Sequence, residues 1–185
     1  LKSCRLCPRA CGANRTAGNV GYCKAGKEIK IARAALHFWE EPPISGDNGS
    51  GTVFFSYCNM GCVFCQNYGI SHEHHGRTVT EGELAEIFID LQKNGANNIN
   101  LVTPTHYVPQ IKNALITAKK NGLAVPVVYN CGGYESVEAL KILDGLVDIY
   151  MPDMKYCSDK YAIKYSNAPR YFVYACKAIE EMYRQ

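Results

Sequence analysis

From Thr52 onward the chain alternates short apolar runs with longer amphipathic stretches. The run Thr52-Val53-Phe54-Phe55-Ser56-Tyr57 is β-prone, and Asn98 to Val102, Val125 to Asn130 and Val147 to Met151 predict three further strands. Between them the apolar positions recur at helical spacing. Thr80-Glu81-Gly82-Glu83 forms a capping box, opening a helix whose stripe Leu84, Ile87, Phe88 and Leu91 ends near Gly95. Tyr107 to Asn121 and Val137 to Leu143 predict two more helices, and two helical stretches close the chain, the last from Pro169 to Arg184. Strand–helix alternation at this spacing predicts an α/β protein with a parallel sheet and helical crossovers. Four strands are too few to close an eight-stranded barrel, so the sheet is expected to stay open at one edge.

Residues 1–50 have a different texture, rich in Cys, Gly, Arg and Pro, with periodicity only from Ile29 to Phe38. Glu40-Glu41-Pro42-Pro43 and Gly46-Asp47-Asn48-Gly49-Ser50-Gly51 make a turn-rich passage into the alternating region. The expected division is a Cys-rich, metal-binding extension over 1–50 and a core over 51–185. Composition, with 47% hydrophobic and 20% charged residues, fits a soluble globular protein with a sizeable core. A net charge of +3 is too small to argue for nucleic acid or an anionic membrane surface. No apolar run reaches membrane-span length and no signal-peptide pattern is visible, so a cytoplasmic setting is expected. The chain opens on Leu1 rather than Met and stops at Gln185 with no strand after the last helix, which reads as a fragment.

The ten cysteines carry the chemistry. Without a signal sequence, tight C-x2-C and C-x3-C spacings read as metal ligation rather than disulfides. Cys58, Cys62 and Cys65 fall within eight residues, directly after the first predicted strand. Three thiolates would leave one iron of a [4Fe–4S] cluster open to a substrate or cofactor. Gly61 is expected to let this loop curl. A zinc knuckle would need a fourth ligand, and His72, His74 and His75 lie in a polar segment that reads as a solvated connection. Cys4, Cys7, Cys11 and Cys23, spaced C-x2-C-x3-C-x11-C, supply four thiolates for zinc or for an auxiliary [4Fe–4S] cluster.

The C-x3-C-x2-C motif, with Phe64 before its last cysteine, resembles the radical S-adenosylmethionine (SAM) superfamily. More closely, from Cys4 to the final helix, the chain resembles the pyruvate formate-lyase activating enzymes. The resemblance implies a partial (β/α) barrel of parallel strands, here about four βα units, shorter than the family's fold by about two and incomplete at the C-terminus. It implies a reduced [4Fe–4S] cluster whose open iron holds SAM and whose electron releases a 5′-deoxyadenosyl radical for hydrogen abstraction. It also implies a reducing donor such as flavodoxin or ferredoxin, and a glycyl radical enzyme or a small molecule as the substrate. Phe64 would lie against the adenine. Thr103 and Thr105 stand where many relatives have Gly-Gly-Glu, and would accept from the SAM ammonium, with His106 binding substrate or moving a proton. Asn130 replaces the carboxylate of an Asp-Thr-Asn-Gly-like segment, and Cys131 beside it reads as a small buried hydrophobe. Asp153 and Lys155 match an Asp-x-Lys, with Lys155 for the SAM carboxylate and Asp153 for an ammonium or cation; a surface ion pair is the plainer role. The competing class is a cluster- or zinc-binding structural module without complete SAM chemistry.

Overall fold

The computed structural model describes residues 1–185. Six strands form one open sheet: β1 (Ile29–His37), β2 (Ser50–Phe55), β3 (Arg77–Val79), β4 (Ile99–Val102), β5 (Val127–Cys131) and β6 (Ile149–Pro152), in the order β3-β1-β2-β4-β5-β6. The four expected strands are β2, β4, β5 and β6, and they pair in parallel. The two further strands are antiparallel additions beyond β2. β1 comes from the first fifty residues, so the Cys-rich segment contributes a strand to the common sheet. The Ile29 to Phe38 periodicity was its trace; Ile29 and Ile31 bury their side chains in the main core. β6 has a neighbour on one side only, which leaves the expected open edge.

The helices are α1 (Pro42–Ser45), α2 (Tyr68–Ser71), α3 (Glu81–Lys93), α4 (Val108–Lys120), α5 (Val137–Ile142), α6 (Asp159–Ser166) and α7 (Tyr171–Arg184). The capping box at Thr80 forms as read, and Leu84, Phe88 and Leu91 face the core. No helix is long and apolar enough to cross a membrane.

Side-chain alternation gives the sheet two different faces. Val53, Leu101 and Tyr129 share one face in register and meet α3, α4 and α5 in the main core. The opposite face carries Ser50, Thr52, Phe54, Asn100, Val102 and Asn130. Its lower part is sealed by α1, where Asn98 Nδ2 donates to the Ile44 carbonyl (2.7 Å). Asn100, fully buried here, has no hydrogen-bond partner for either amide atom.

Arg15 anchors the cysteine-rich segment. Its buried guanidinium donates to the carbonyls of Gly26 (2.8 Å) and His106 (2.6 Å), joining residues 1–28 to the loop after β4. Because β1 is part of the sheet, Ile31→Ala should cost about 2–5 kcal/mol, the usual range for emptying a buried isoleucine site. Denaturant unfolding should show this as a shift of one common transition, with no separate melting of the first fifty residues.

Candidate metal centre

The loop carrying Cys58, Cys62 and Cys65 leaves β2 through Tyr57, whose φ of 76° is left-handed. The sharp bend therefore falls on Tyr57. Gly61 serves a different purpose from the curl expected of it: its φ is not positive, and a Cβ there would stand 2.6 Å from the Tyr22 hydroxyl. The loop rests on α6, with the Gly61 N–H on the Ser166 carbonyl and the Val63 N–H on the Tyr165 carbonyl, both 2.9 Å. Arg9 clamps it from the other side, donating to the carbonyls of Asn59 (2.7 Å) and Asn167 (2.5 Å).

Each of the three sulfurs has a polar neighbour. The Met60 N–H approaches Cys58 Sγ at 3.4 Å, and the Ser166 hydroxyl donates to Cys62 Sγ at 2.9 Å. Cys65 Sγ lies 3.2 Å from the Ser71 hydroxyl, which in turn is 2.8 Å from His72 Nδ1. Burial pushes the Cys58 thiol up to about 12, and neighbouring Cys62 and Cys65 add to the rise. Burial also raises Cys62, against the hydrogen bond from Ser166. Metal loading of this loop must therefore displace protons.

Cys58, Cys62 and Cys65 all line one cavity of about 620 Å³. Phe64, Thr103, Asn130, Asp153 and Lys155 line it as well, so five of the six residues read as cofactor-binding are gathered there. Phe64 is 55% exposed, so it is not simply packed at the base of the loop. Thr103 holds a left-handed φ of 59°, uncommon for a β-branched residue and a form of strain that collects at functional sites. Asp153 and Lys155 pair with each other across 2.5 Å. Burial alone would lower the Lys155 ammonium, but the Asp153 carboxylate outweighs it and leaves the group raised.

Two expected residues lie elsewhere. Thr105 is buried and donates to Glu135 Oε1 (2.6 Å) rather than facing the cavity. His106 is also buried, its Nε2 2.7 Å from the Ser56 carbonyl; burial drops it to about 3, so it stays a neutral core imidazole. In the histidine-rich segment, His72 stacks on Tyr68, and His74 packs at a tilt against Tyr57.

Several contributors had no local signal in the sequence. His37, Trp39 and Glu40, at the end of β1, line the same cavity as the cysteines. The Tyr171 hydroxyl lies 2.8 Å from the Gly132 carbonyl and 2.6 Å from the Asp153 carbonyl, and accepts the Lys155 N–H (2.9 Å). It thereby ties the ends of β5 and β6 together. Gly133, at φ 74°, admits this contact, since a Cβ there would sit 2.9 Å from that hydroxyl. Glu135, buried with Thr105, receives the Tyr129 hydroxyl at 3.0 Å and has no cation beside it.

No three His, Cys, Asp or Glu side chains converge as a single metal ion would require. A lone zinc gathers its donors around one point, whereas a cube of four irons takes each thiolate on a separate iron. Three sulfurs with hydrogen-bonding neighbours, opening into a shared cavity, fit the larger group. Cys4, Cys7, Cys11 and Cys23 are free thiols of one compact loop, closed by the Cys4 N–H on the Ala13 carbonyl (3.0 Å) and the Gly12 N–H on the Cys4 carbonyl (2.9 Å). Burial pushes Cys7 up to about 12, with Cys23 and Cys4 near enough to contribute.

An open, mostly parallel sheet with a three-cysteine loop at the end of β2 defines the class of α/β protein to which the chain belongs. Residues 52–184 match the radical SAM superfamily, and the chain belongs to that superfamily. It is 33% identical over 181 residues to the uncharacterized protein MJ0674 of Methanocaldococcus jannaschii, covering 93% of this chain and 51% of that protein. It is 27% identical over 175 residues to the uncharacterized protein MJ0808 of the same organism, covering 85% of this chain and 50% of that protein. The chain thus spans about half the length of the relatives it matches.

Two outcomes follow. Replacing Cys58, Cys62 or Cys65 singly by Ala should lower the iron bound after anaerobic reconstitution by about four atoms per chain, while Cys131→Ala should not. The second concerns Glu135, which burial raises to about 7 despite the Thr105, Tyr129 and Cys131 donors that lower it. Its contribution to stability is full below the ordinary value of 4.5 and is lost as pH rises toward 7. Glu135→Gln should therefore remove a decline in urea midpoint between pH 5 and 8 that the parent protein shows.

Proposed function

We propose that this chain is the cofactor-binding part of a radical SAM enzyme that cleaves SAM reductively to abstract hydrogen, acting on a glycyl radical enzyme or a small molecule. The observation that carries the reading is the opening of Cys58, Cys62 and Cys65 into one cavity with Asp153 and Lys155. When bound at these cysteines, a [4Fe–4S] cluster supplies the electron that cleaves SAM into methionine and a 5′-deoxyadenosyl radical.

The chain's own residues bind and orient. Lys155, held as the ammonium by Asp153, meets the SAM carboxylate, and the Asp153 carboxylate is then free for the amino group. Thr103 and Asn130 add acceptors from the neighbouring strand ends, and Phe64 offers its ring to the adenine. Thr105 acts from behind, by holding Glu135 under this wall. Tyr171 keeps the two strand ends at a fixed separation, so that groups from β5 and β6 address one ligand together. Of the two groups expected at Cys4, Cys7, Cys11 and Cys23, zinc or an auxiliary [4Fe–4S] cluster, the cluster is favoured because no three of these side chains converge on one point. Reduction comes from a flavodoxin- or ferredoxin-like donor, and the setting is the cytoplasm.

The open β6 edge and the half-length match to the relatives favour one alternative, a cluster-binding module whose SAM chemistry needs further chain. Electron paramagnetic resonance of the anaerobically reconstituted, reduced protein separates the two. Under the proposal, SAM shifts the reduced-cluster signal and 5′-deoxyadenosine accumulates under reducing conditions, and Lys155→Ala weakens the SAM response about tenfold or more, the scale of one lost charge-assisted hydrogen bond. A reduced cluster indifferent to SAM, with no 5′-deoxyadenosine, would sink the enzyme reading in favour of the module.

A further inference from the structure

The cavity has a second end that the cofactor reading does not use. β1 runs antiparallel to β2, and His37 pairs with Ser50 at the start of β2, whereas Cys58 follows the end of that strand. The His37 ring meets the Phe54 ring edge-on, with centroids 6.1 Å apart, on the sheet face that forms the cavity floor. His37, Trp39 and Glu40 line the cavity that the three cysteines also line.

The chemistry at this end is distinctive. Trp39 is the only tryptophan in the chain and is 89% exposed, although it borders a cavity. Glu40 is partly buried, and that burial raises its carboxyl against the opposing influence of His37. The Glu40 N–H donates to the Ser45 hydroxyl (3.0 Å), which fixes the backbone where α1 begins. An adjoining cavity of about 440 Å³ shares Asn130 and Asp153 with the first and is bordered by Glu41. Neither Glu40 nor Glu41 has an ion-pair partner. Lys155 is the only Lys or Arg lining either space, and Asp153 already neutralises it. Glu40 and the exposed Trp39 thus border the first cavity and Glu41 the adjoining one, and neither carboxylate is paired with a Lys or Arg.

We propose that the His37–Trp39–Glu40 end is the substrate subsite and that it receives a protonated amine. The inference rests on the cysteine end being the cofactor end. The ammonium ion-pairs with Glu40 and lies against the indole of Trp39, whose ring face attracts a cation. A partly desolvated carboxylate gives up less hydration on pairing than an exposed one, so burial of Glu40 favours binding over a loose surface contact. The pairing places the substrate's amine away from the cysteine loop and leaves the rest of the molecule to extend toward it.

Because Trp39 is the sole tryptophan, its fluorescence reports this end directly. The anaerobically reconstituted chain would be titrated with hexylammonium, hexanol and hexanoate, three probes of one chain length that differ in charge. Saturable perturbation by hexylammonium alone is expected, with Glu40→Gln raising its half-saturating concentration roughly tenfold. Far-ultraviolet circular dichroism would verify that the variant is folded. An equal response to hexanol, an unchanged titration in Glu40→Gln, or displacement of hexylammonium by SAM would overturn the proposal. The cluster signal and its response to SAM are read independently by electron paramagnetic resonance. Loss of the amine titration with that response intact defeats the subsite alone, and the converse defeats the cofactor reading on which it rests.

Discussion

The site depends on the register of four parallel strands. Phe54 of β2 stands opposite Val102 of β4, Val102 opposite Asn130 of β5, and Asn130 opposite Met151 of β6. In-register neighbours point to the same side of a sheet, so this row forms a continuous floor, and Phe54, Val102 and Asn130 all line the cysteine cavity. The row also sets the loops Cys58–Cys65, Thr103–His106, Cys131–Glu135 and Asp153–Lys155 at one level. A slip of one residue in any strand would send its floor residue into the helical core and a large apolar residue into the cavity. Val53, Leu101 and Tyr129, fully buried on the other face, are what make such a slip costly.

Above that floor, the loops are held by contacts distant in sequence. Arg9 reaches from the first cysteine-rich loop to the carbonyl of Asn59, and Ser166 of α6 meets both Gly61 and Cys62. Arg15 spans to the loop after β4, and Tyr171 of α7 joins the ends of β5 and β6. The cysteine loop is thus supported by the opening and closing segments of the chain together. Removing solvent from Cys58 and Cys62 raises their thiols, and the N–H and hydroxyl groups beside them stabilise sulfur once it carries negative charge.

The four parallel strands and the larger helices were readable because their signals are local: apolar runs, helical stripes and a capping box. β1 was harder, since its periodicity lay in a segment dominated by Cys, Gly and Pro, and its pairing partner is set by distant residues. The cysteines of the 58–65 loop and the Asp153–Lys155 pair were legible from spacing at strand ends. Thr105 and His106 were drawn toward the site by the same strand-end logic. The chain instead enters a 3-10 turn over Thr105–Tyr107, which carries both side chains into the interior. Their partners, Glu135 and the Ser56 carbonyl, are 30 and 50 residues away in sequence. Glu135 had no signal at all, because an isolated glutamate before a helix says nothing about burial.

By itself the sequence determined the cysteine spacing, the strand–helix alternation and so membership of a superfamily, because spacing and periodicity are properties of neighbouring residues. Tertiary structure alone decided which cysteines share a cavity, which polar groups lose their water, and that residues at and after the end of β1 line that same cavity. Those outcomes depend on strand register and desolvation, and both arise only when residues far apart in the chain are packed against one another.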